Sequence, residues 1–537
     1  MTEADTEAAD TSRPGALAML RDARLLPWLV RAAWVLGPII AFAVYLRLAR
    51  TRSVNSDGSS NALQAWDMLH GNLLLHGWSL TDVSFYTTEL PQYMLVELVR
   101  GLNQDVVHVA AAITYTLAIL LAALLAKGNA TGREAVMRVG LAVGIMLAPQ
   151  LGSGVNILIS SPDHIGTSVP VMVAWLVLDR ARPRWYIPVI VAALLGWAEV
   201  ADALVLYIGV LPLALVCGFR VYRAVVVERR PLASQRYWLA LGAGALLAAA
   251  LALLALHAIH ASGGFFSPDP RTTFTPSGTR LPHNLGLSAE GLLLLGGADF
   301  FGARLSASTA FTLLHVIGVF LGGWGIWLAA RRFWRNLDLV DQLLLVGVVI
   351  NLVTYVLSTH ANSVASTREI NAVLPFGAVL AARLLARRLM AARLVPLLAV
   401  VLAGYLLGLA HEIIQPEVHA QNQQLTSWLA ARHLDSGLSG YWESNVVSLT
   451  SGERVQIRAV TVHDGRLIHG TLETKAQWFN PDRSSANFVV IFPGSGAYPG
   501  FTGTQAVLAT FGPPARTYHV GRYQVLVWDG NLLRELG

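Results

Sequence analysis

The run at residues 106–126, VVHVAAAITYTLAILLAALLA, decides the fold. It contains no carboxylate, lysine or arginine, and as a helix rising 1.5 Å per residue it spans about 30 Å, the hydrocarbon thickness of a bilayer. Lipid offers backbone N–H and C=O groups no partners, so a segment that crosses it must satisfy them internally. Unbroken apolar runs of this length point to helices, whereas barrel strands would read as shorter alternating segments.

Comparable runs lie on both sides. Candidate spans fall at residues 27–48, 106–126, 137–151, 165–178, 185–199, 202–219, 238–259, 309–330, 339–358, 370–390 and 394–413. About eleven transmembrane helices are predicted, those between 137 and 219 with the least definite ends. Apolar residues make up 54% of the 537 and charged residues 13%, a balance foreign to a soluble chain of this size. The +6 formal charge does not indicate nucleic acid, because the basic residues sit in short clusters between apolar runs.

Those clusters orient the chain. Arg21 and Arg24; Lys127, Arg133 and Arg138; Arg180, Arg182 and Arg184; Arg220, Arg223, Arg229 and Arg230; Arg331, Arg332 and Arg335; and Arg387, Arg388 and Arg393 all fall on one side. The positive-inside rule makes that side cytoplasmic. Residues 1–26 are then a disordered cytoplasmic N-terminus and 27–414 the membrane domain. Outside lie the segments 49–105 and 260–308 and a soluble domain at 415–537. The acidic, Ala-rich stretch Met1–Pro14 precedes a full-length apolar segment with no convincing cleavage site, so the first helix is expected to remain as an anchor. High Ala, Leu, Arg and Gly content suggests a GC-rich bacterial source, which would make the membrane the cytoplasmic one. The single cysteine, Cys217, permits no intrachain disulfide and reads as a small buried apolar residue.

In segment 49–105, Leu63, Trp66 and Leu69 form one helical stripe, and a second amphipathic helix starts near Pro91 with Met94, Leu95, Leu98, Val99 and Leu102. Both are expected to lie on the membrane surface. Segment 260–308 reads as a Gly-, Pro-, Ser- and Thr-rich loop to Asn284, then turns apolar. After Pro416 a helix near Asn422–His433 precedes strand-like runs at 454–462, 487–492 and 523–528 with turns at Asp464-Gly465 and Asp529-Gly530, a small α+β or α/β domain. Gly440-Tyr441-Trp442, Trp478, Phe479 and Tyr498 read as its core or as a platform for a carbohydrate.

Ionisable groups collect at the outer ends of the spans: Asp57, Asp67, His70, His76, Asp82 and Glu89; Asp163 and His164; Glu199 and Asp202; and His360, Arg368 and Glu369. A transporter would tend to hold such groups at the midplane, on broken helices related by a repeat. Collected at one face, they suggest an active site open to the outside.

One helix, a large outer segment bearing Ser56-Asp57-Gly58 and two interfacial helices, a helical bundle and an outer soluble domain together resemble the C-type membrane glycosyltransferases. That group includes protein mannosyltransferases, lipid A aminoarabinose transferases and oligosaccharyltransferase catalytic subunits, and the resemblance covers roughly residues 27–413. It implies transfer of a monosaccharide, with inversion, from a polyprenyl-phosphate donor to a glycan, lipid or protein acceptor of the cell envelope. Asp57 matches the early acidic residue that serves there as base or metal ligand. It also reads as a simple Asp-Gly turn. The stretch Thr367-Arg-Glu-Ile-Asn-Ala-Val-Leu-Pro375 matches a basic-then-proline opening of a late helix, which implies that Arg368 binds the donor phosphate; the alternative is an arginine reaching for lipid headgroups. Ser161-Pro-Asp163-His164 stands where oligosaccharyltransferases carry two aspartates, but only one is here. Asp163 and His164 remain candidates to ligate a divalent cation, Mg or Mn, or else to cap a helix.

Substrate-binding candidates are His70, Glu89, Tyr93 and His360. Glu89 also suits the positive end of its own helix, and Trp66, Trp78, Phe85 and Tyr86 suit an interfacial aromatic belt as well as sugar stacking. Two other function classes stay open. One is a non-catalytic scaffold or glycan-binding module, favoured by the missing second aspartate. The other is a transporter of lipid-linked sugars or small solutes.

Overall fold

The computed structural model describes residues 26–147, 157–161, 164–267, 274, 278, 280–302, 304–418, 422–493, 501 and 503–536. A helix occupies each of the eleven apolar runs. They are α1 (Leu26–Ala49), α4 (Asp105–Lys127), α5 (Gly132–Met146), α6 (Ile165–Arg180), α7 (Ile187–Ala201), α8 (Leu211–Tyr222, continuous with a π-helical turn at Leu206–Val210), α9 (Arg236–Ala261), α11 (Ala307–Asn336), α12 (Leu339–Leu357), α13 (Val373–Ala391) and α14 (Val395–Ile413). The helices between them are α2 (Ser56–Leu69), α3 (Glu89–Arg100) and α10 (Leu281–Leu295).

Among the described residues seven helices are long and apolar enough to cross a membrane, and an eighth if the 3₁₀ turn Val364–Ile370 and α13, bent by 53°, act as one span. About eleven spans, several of them short, are expected from the sequence, and seven or eight have the full length among the described residues. Helices α5, α6 and α7, with 15, 16 and 15 residues, reach only about 23 Å and pack into the bundle as shorter elements. Helix α13 is the spine, buried along most of its length against α4, α5, α11 and α12.

Two local expectations change. Helix α2 does not lie freely on a surface: Ser56, Ser59, Ser60, Asn61 and Gln64 are buried with Leu63, because the C-terminal domain covers its polar side. The stretch before Asn284 is already helical from Leu281, started by a proline in the first turn of α10. Helix α3 does keep an exposed apolar face, at Leu95, Leu98 and Val99.

The C-terminal domain is a mixed α/β unit. Strands β2 (Ser436–Ser439), β3 (Gln456–His463), β4 (Arg466–His469), β6 (Phe488–Ile491), β7 (Arg516–Val520) and β8 (Tyr523–Val527) form a sheet of order β4-β3-β2-β6-β8-β7, in which β3, β2 and β6 run parallel. Asp464 and Gly465, both at positive φ, make the tight β3–β4 hairpin. Helix α15 (Gln423–Ala430) precedes β2, and helix α16 (Tyr441–Thr450) follows β2 directly and packs on α2. A second, two-stranded ribbon joins the domain to the membrane part, β1 (Trp78–Ser79) pairing antiparallel with β5 (Thr474–Lys475). Lys475 Nζ and Trp78 Nε1 both donate to Asp67 at 2.9 and 2.8 Å beside this ribbon.

Candidate functional site

Asp57 sits in the first turn of α2. Asn55 caps that turn by accepting from Gly58 N–H at 2.9 Å, and the positive end of the helix dipole there favours an anion. Gly58 is needed for the close approach of α2 to α4: a Cβ would come within 2.6 Å of Val107 Cγ1. Arg368, in the 3₁₀ turn before α13, donates from Nη1 to Asp57 Oδ2 at 3.3 Å. The other oxygen, Oδ1, accepts from the Tyr441 hydroxyl at 2.5 Å, and that hydroxyl also contacts Glu473 Oε2. Burial and the two neighbouring acids hold the Tyr441 phenol well above its ordinary range, so it keeps its hydrogen.

A second cluster adjoins the first through Glu369, the neighbour of Arg368. His164 Nε2 lies 3.4 Å from Glu369 Oε1, and Nδ1 lies 2.9 Å from Asp202 Oδ2. Asp202 also accepts from the Thr167 hydroxyl and, at 2.8 Å, from Leu204 N–H. Burial opposes a charge on His164, but Glu369 and Asp202 outweigh it and push the imidazole up to about 10. Glu89 lies beside this cluster, its carboxyl pressed against Gly166, where a Cβ would meet Oε1 at 1.8 Å. Burial, with a contribution from Asp202, raises Glu89 to about 8. Two cavities open here and share Asp82 and Asp202. The smaller, about 50 Å³, touches His164, His360 and Glu369, and the larger, about 330 Å³, runs past Glu199, His257 and Phe266.

No protein-family model matches the sequence, and no curated protein matches it at a significant level. Solved structures do match. The ArnT protein of Cupriavidus metallidurans bound to undecaprenyl phosphate aligns over 93% of this chain and 98% of its own, with a TM-score of 0.56 and 15% identity. Its apo form aligns over 96% and 100%, with a TM-score of 0.54 and 15% identity. The oligosaccharyltransferase of Archaeoglobus fulgidus in its apo form aligns over 86% and 70%, with a TM-score of 0.49 and 13% identity. The chain shares the fold of these two ArnT structures.

Within this fold the predicted site residues separate into four groups. Asp57 and Arg368 meet, and Glu89, His164 and His360 gather in the adjoining cluster. Asp163 lies outside the described residues. The remaining two stand elsewhere. His70 is at the far end of α2, about 20 Å along the helix from Asp57, its ring against Trp66 at 4.4 Å. Tyr93 is wholly buried in an apolar cluster with Val96, Val106 and Leu449. Sequence reasoning gave no sign that Tyr441 and Glu473 stand beside Asp57. It noted Asp202 and Glu369 only as charges at span ends.

The described donors do not assemble a divalent-cation site. Asp57 Oδ2 faces a guanidinium, both His164 nitrogens face carboxylates, and among the described residues no three His, Cys, Asp or Glu side chains stand in ligating geometry. The positive charge in this arrangement comes from Arg368 and His164.

Proposed function

We propose that this C-type fold transfers a monosaccharide from a polyprenyl-phosphate donor to an acceptor hydroxyl of the cell envelope, on the extracytoplasmic face, with inversion. The observation that carries the reading is the contact between Asp57 and Arg368, which are 311 residues apart in sequence and were each singled out for complementary chemistry. The orientation follows from the basic clusters, which place the N-terminus inside and the C-terminal domain outside the cytoplasmic membrane. The undecaprenyl phosphate held by the matched Cupriavidus metallidurans structure supports the donor class.

The chemistry follows from the charges. A donor phosphate draws the half-exposed Arg368 guanidinium into a bidentate contact, which releases Asp57 Oδ2. As the acceptor oxygen bonds to the anomeric carbon, its proton passes to Oδ2. The bond from that carbon to the phosphate oxygen breaks with its electron pair, through a transition state of oxocarbenium character. Arg368 stabilises the departing phosphate. The acid-lined cavities beside Glu369 are the proposed place for sugar hydroxyls, with His360 at their edge.

The test uses purified protein in nanodiscs with a panel of radiolabelled polyprenyl-phosphate sugars and envelope extract as acceptor, with and without Mg or Mn. Wild type is expected to transfer label while Asp57→Asn does not. Wild-type turnover in Asp57→Asn removes the base assignment, and donor binding without turnover by wild type turns the reading toward a glycan-binding module.

A further inference from the structure

We propose that the C-terminal domain completes the catalytic centre, with Tyr441 positioning Asp57 and Glu473 sharing a proton with it through the Tyr441 hydroxyl. This rests on the reading of Asp57 as the base. A phenol has one hydrogen, yet the Tyr441 oxygen touches a carboxyl oxygen of Asp57 and one of Glu473. Two ionised carboxylates cannot both accept that hydrogen, so a second proton belongs to the trio. Arg368 on Oδ2 favours the charge at Asp57, and Glu473 is almost fully buried, which disfavours a charge there. The hydrogens then run from Glu473 to Tyr441 and from Tyr441 to Asp57.

The surrounding backbone fixes this order. Glu473 has φ 47°, the left-handed region, which a non-glycine residue holds only where its neighbours determine it. Its neighbour Thr474 starts β5, locked against β1, and Ala476 N–H donates to Gly77 O at 2.8 Å. The Ser56 hydroxyl donates to the Tyr441 carbonyl at 2.6 Å, which holds the first turns of α2 and α16 together. With Oδ1 accepting from the phenol, Oδ2 is the oxygen that takes the acceptor's proton once Arg368 has turned to phosphate. The shared proton stays in the trio, so the transfer needs no further reagent.

Two variants in nanodiscs test this. Tyr441→Phe removes the donor on Oδ1: kcat should fall by about tenfold or more with donor KM little changed, and the acid limb of the pH–rate profile should move to higher pH. Glu473→Gln keeps the packing and exchanges the carboxyl hydrogen on the phenol oxygen for that of a weaker amide donor, so its acid limb should move to higher pH by less than in Tyr441→Phe. A limb at the wild-type position in Tyr441→Phe, or one moved to lower pH in Glu473→Gln as the loss of an ionised carboxylate would produce, overturns the proposal. A second readout does not depend on turnover. The infrared spectrum of wild type at neutral pH should hold a protonated-carboxyl band that Glu473→Gln lacks. If no donor is turned over, the base reading fails, while the band still decides the trio: its presence supports the shared proton and its absence overturns it. Should Tyr441→Phe fail to fold, Glu473→Gln alone carries both readouts.

Discussion

Two arginines on one stretch of chain, Arg368 just before α13 and Arg383 within it, meet carboxylates in opposite ways. Arg383 is almost fully buried and contacts Asp179 at 3.0 Å, Asp341 at 2.7 Å and Asp338. Those carboxylates come from α6, α12 and the turn before α12, so the guanidinium ties three elements together and has no face left for a ligand. Arg368 is 42% exposed in its side chain, meets Asp57 at a looser 3.3 Å, and sits in a 3₁₀ turn at a 53° bend rather than in the helix interior. A buried, saturated arginine holds a fold together, whereas an open, loosely paired one at a bend is placed to exchange its partner.

The largest expected effect separates the two. Asp57→Asn should lower kcat for transfer by about 10²–10⁴-fold, and Arg368→Ala by about 10²–10³-fold with a raised donor KM, both with thermal unfolding close to wild type. Initial rates beside unfolding midpoints in the same nanodiscs check this. Arg383→Ala should do the reverse. It strands buried carboxylates at a cost of about 3–5 kcal/mol, seen as a lost or much lowered Tm. If Arg368→Ala instead unfolds the protein while its residual rate per folded molecule stays normal, the contrast between the two ends is gone.

A pH effect sharpens the same contrast on the site side. Glu89 has a folded-state value of about 8 against an ordinary 4.5, so the folded protein binds more protons than the unfolded chain across that interval. For a carboxyl raised in this way, stability is full below the ordinary value, declines as pH rises through the interval and levels off above about 8. Glu89→Gln should flatten this slope, leaving Tm unchanged at the acid end and raised at the alkaline end. An equal slope in wild type and variant would show that Glu89 is ionised in the folded protein.

The apolar runs, the basic clusters and the α/β character of the last domain were legible because each is written in contiguous sequence. Asp57 and Arg368 could be singled out as short charged motifs beside helix starts, each with a second reading as a turn or a headgroup contact, and it is the fold that brings them within 3.3 Å. Tyr441 was visible only as part of an aromatic cluster that a small domain would bury anyway, and Glu473 not at all. Its place beside Tyr441 comes with a left-handed φ and with a two-residue ribbon to Trp78 and Ser79 that joins positions nearly 400 residues apart in sequence. His70 and Tyr93 show the opposite limit. Residue type and membership of the outer segment suggested substrate contact, but a helix separates points along its axis as firmly as it joins points on one face. Helix α2 carried His70 away, and α3 turned Tyr93 into the core.

The smallest expected effect concerns the joint that brings the C-terminal domain to Asp57. Lys475 pairs with Asp67 at 2.9 Å with both side chains partly exposed, so Lys475→Ala should cost only about 1 kcal/mol or less of global stability. Its effect should be local. Hydrogen exchange at Ala476 N–H, bonded across the ribbon to Gly77 O, should speed up, while exchange at Val489 and Val525 in the central sheet should not. If the rate of transfer falls along with protection of the ribbon while the sheet stays protected, the ribbon is what keeps Glu473 and Tyr441 on the catalytic carboxylate. If protection is lost across the whole sheet instead, Lys475 supports the fold of the domain, and the ribbon belongs with Arg383 on the structural side of the comparison.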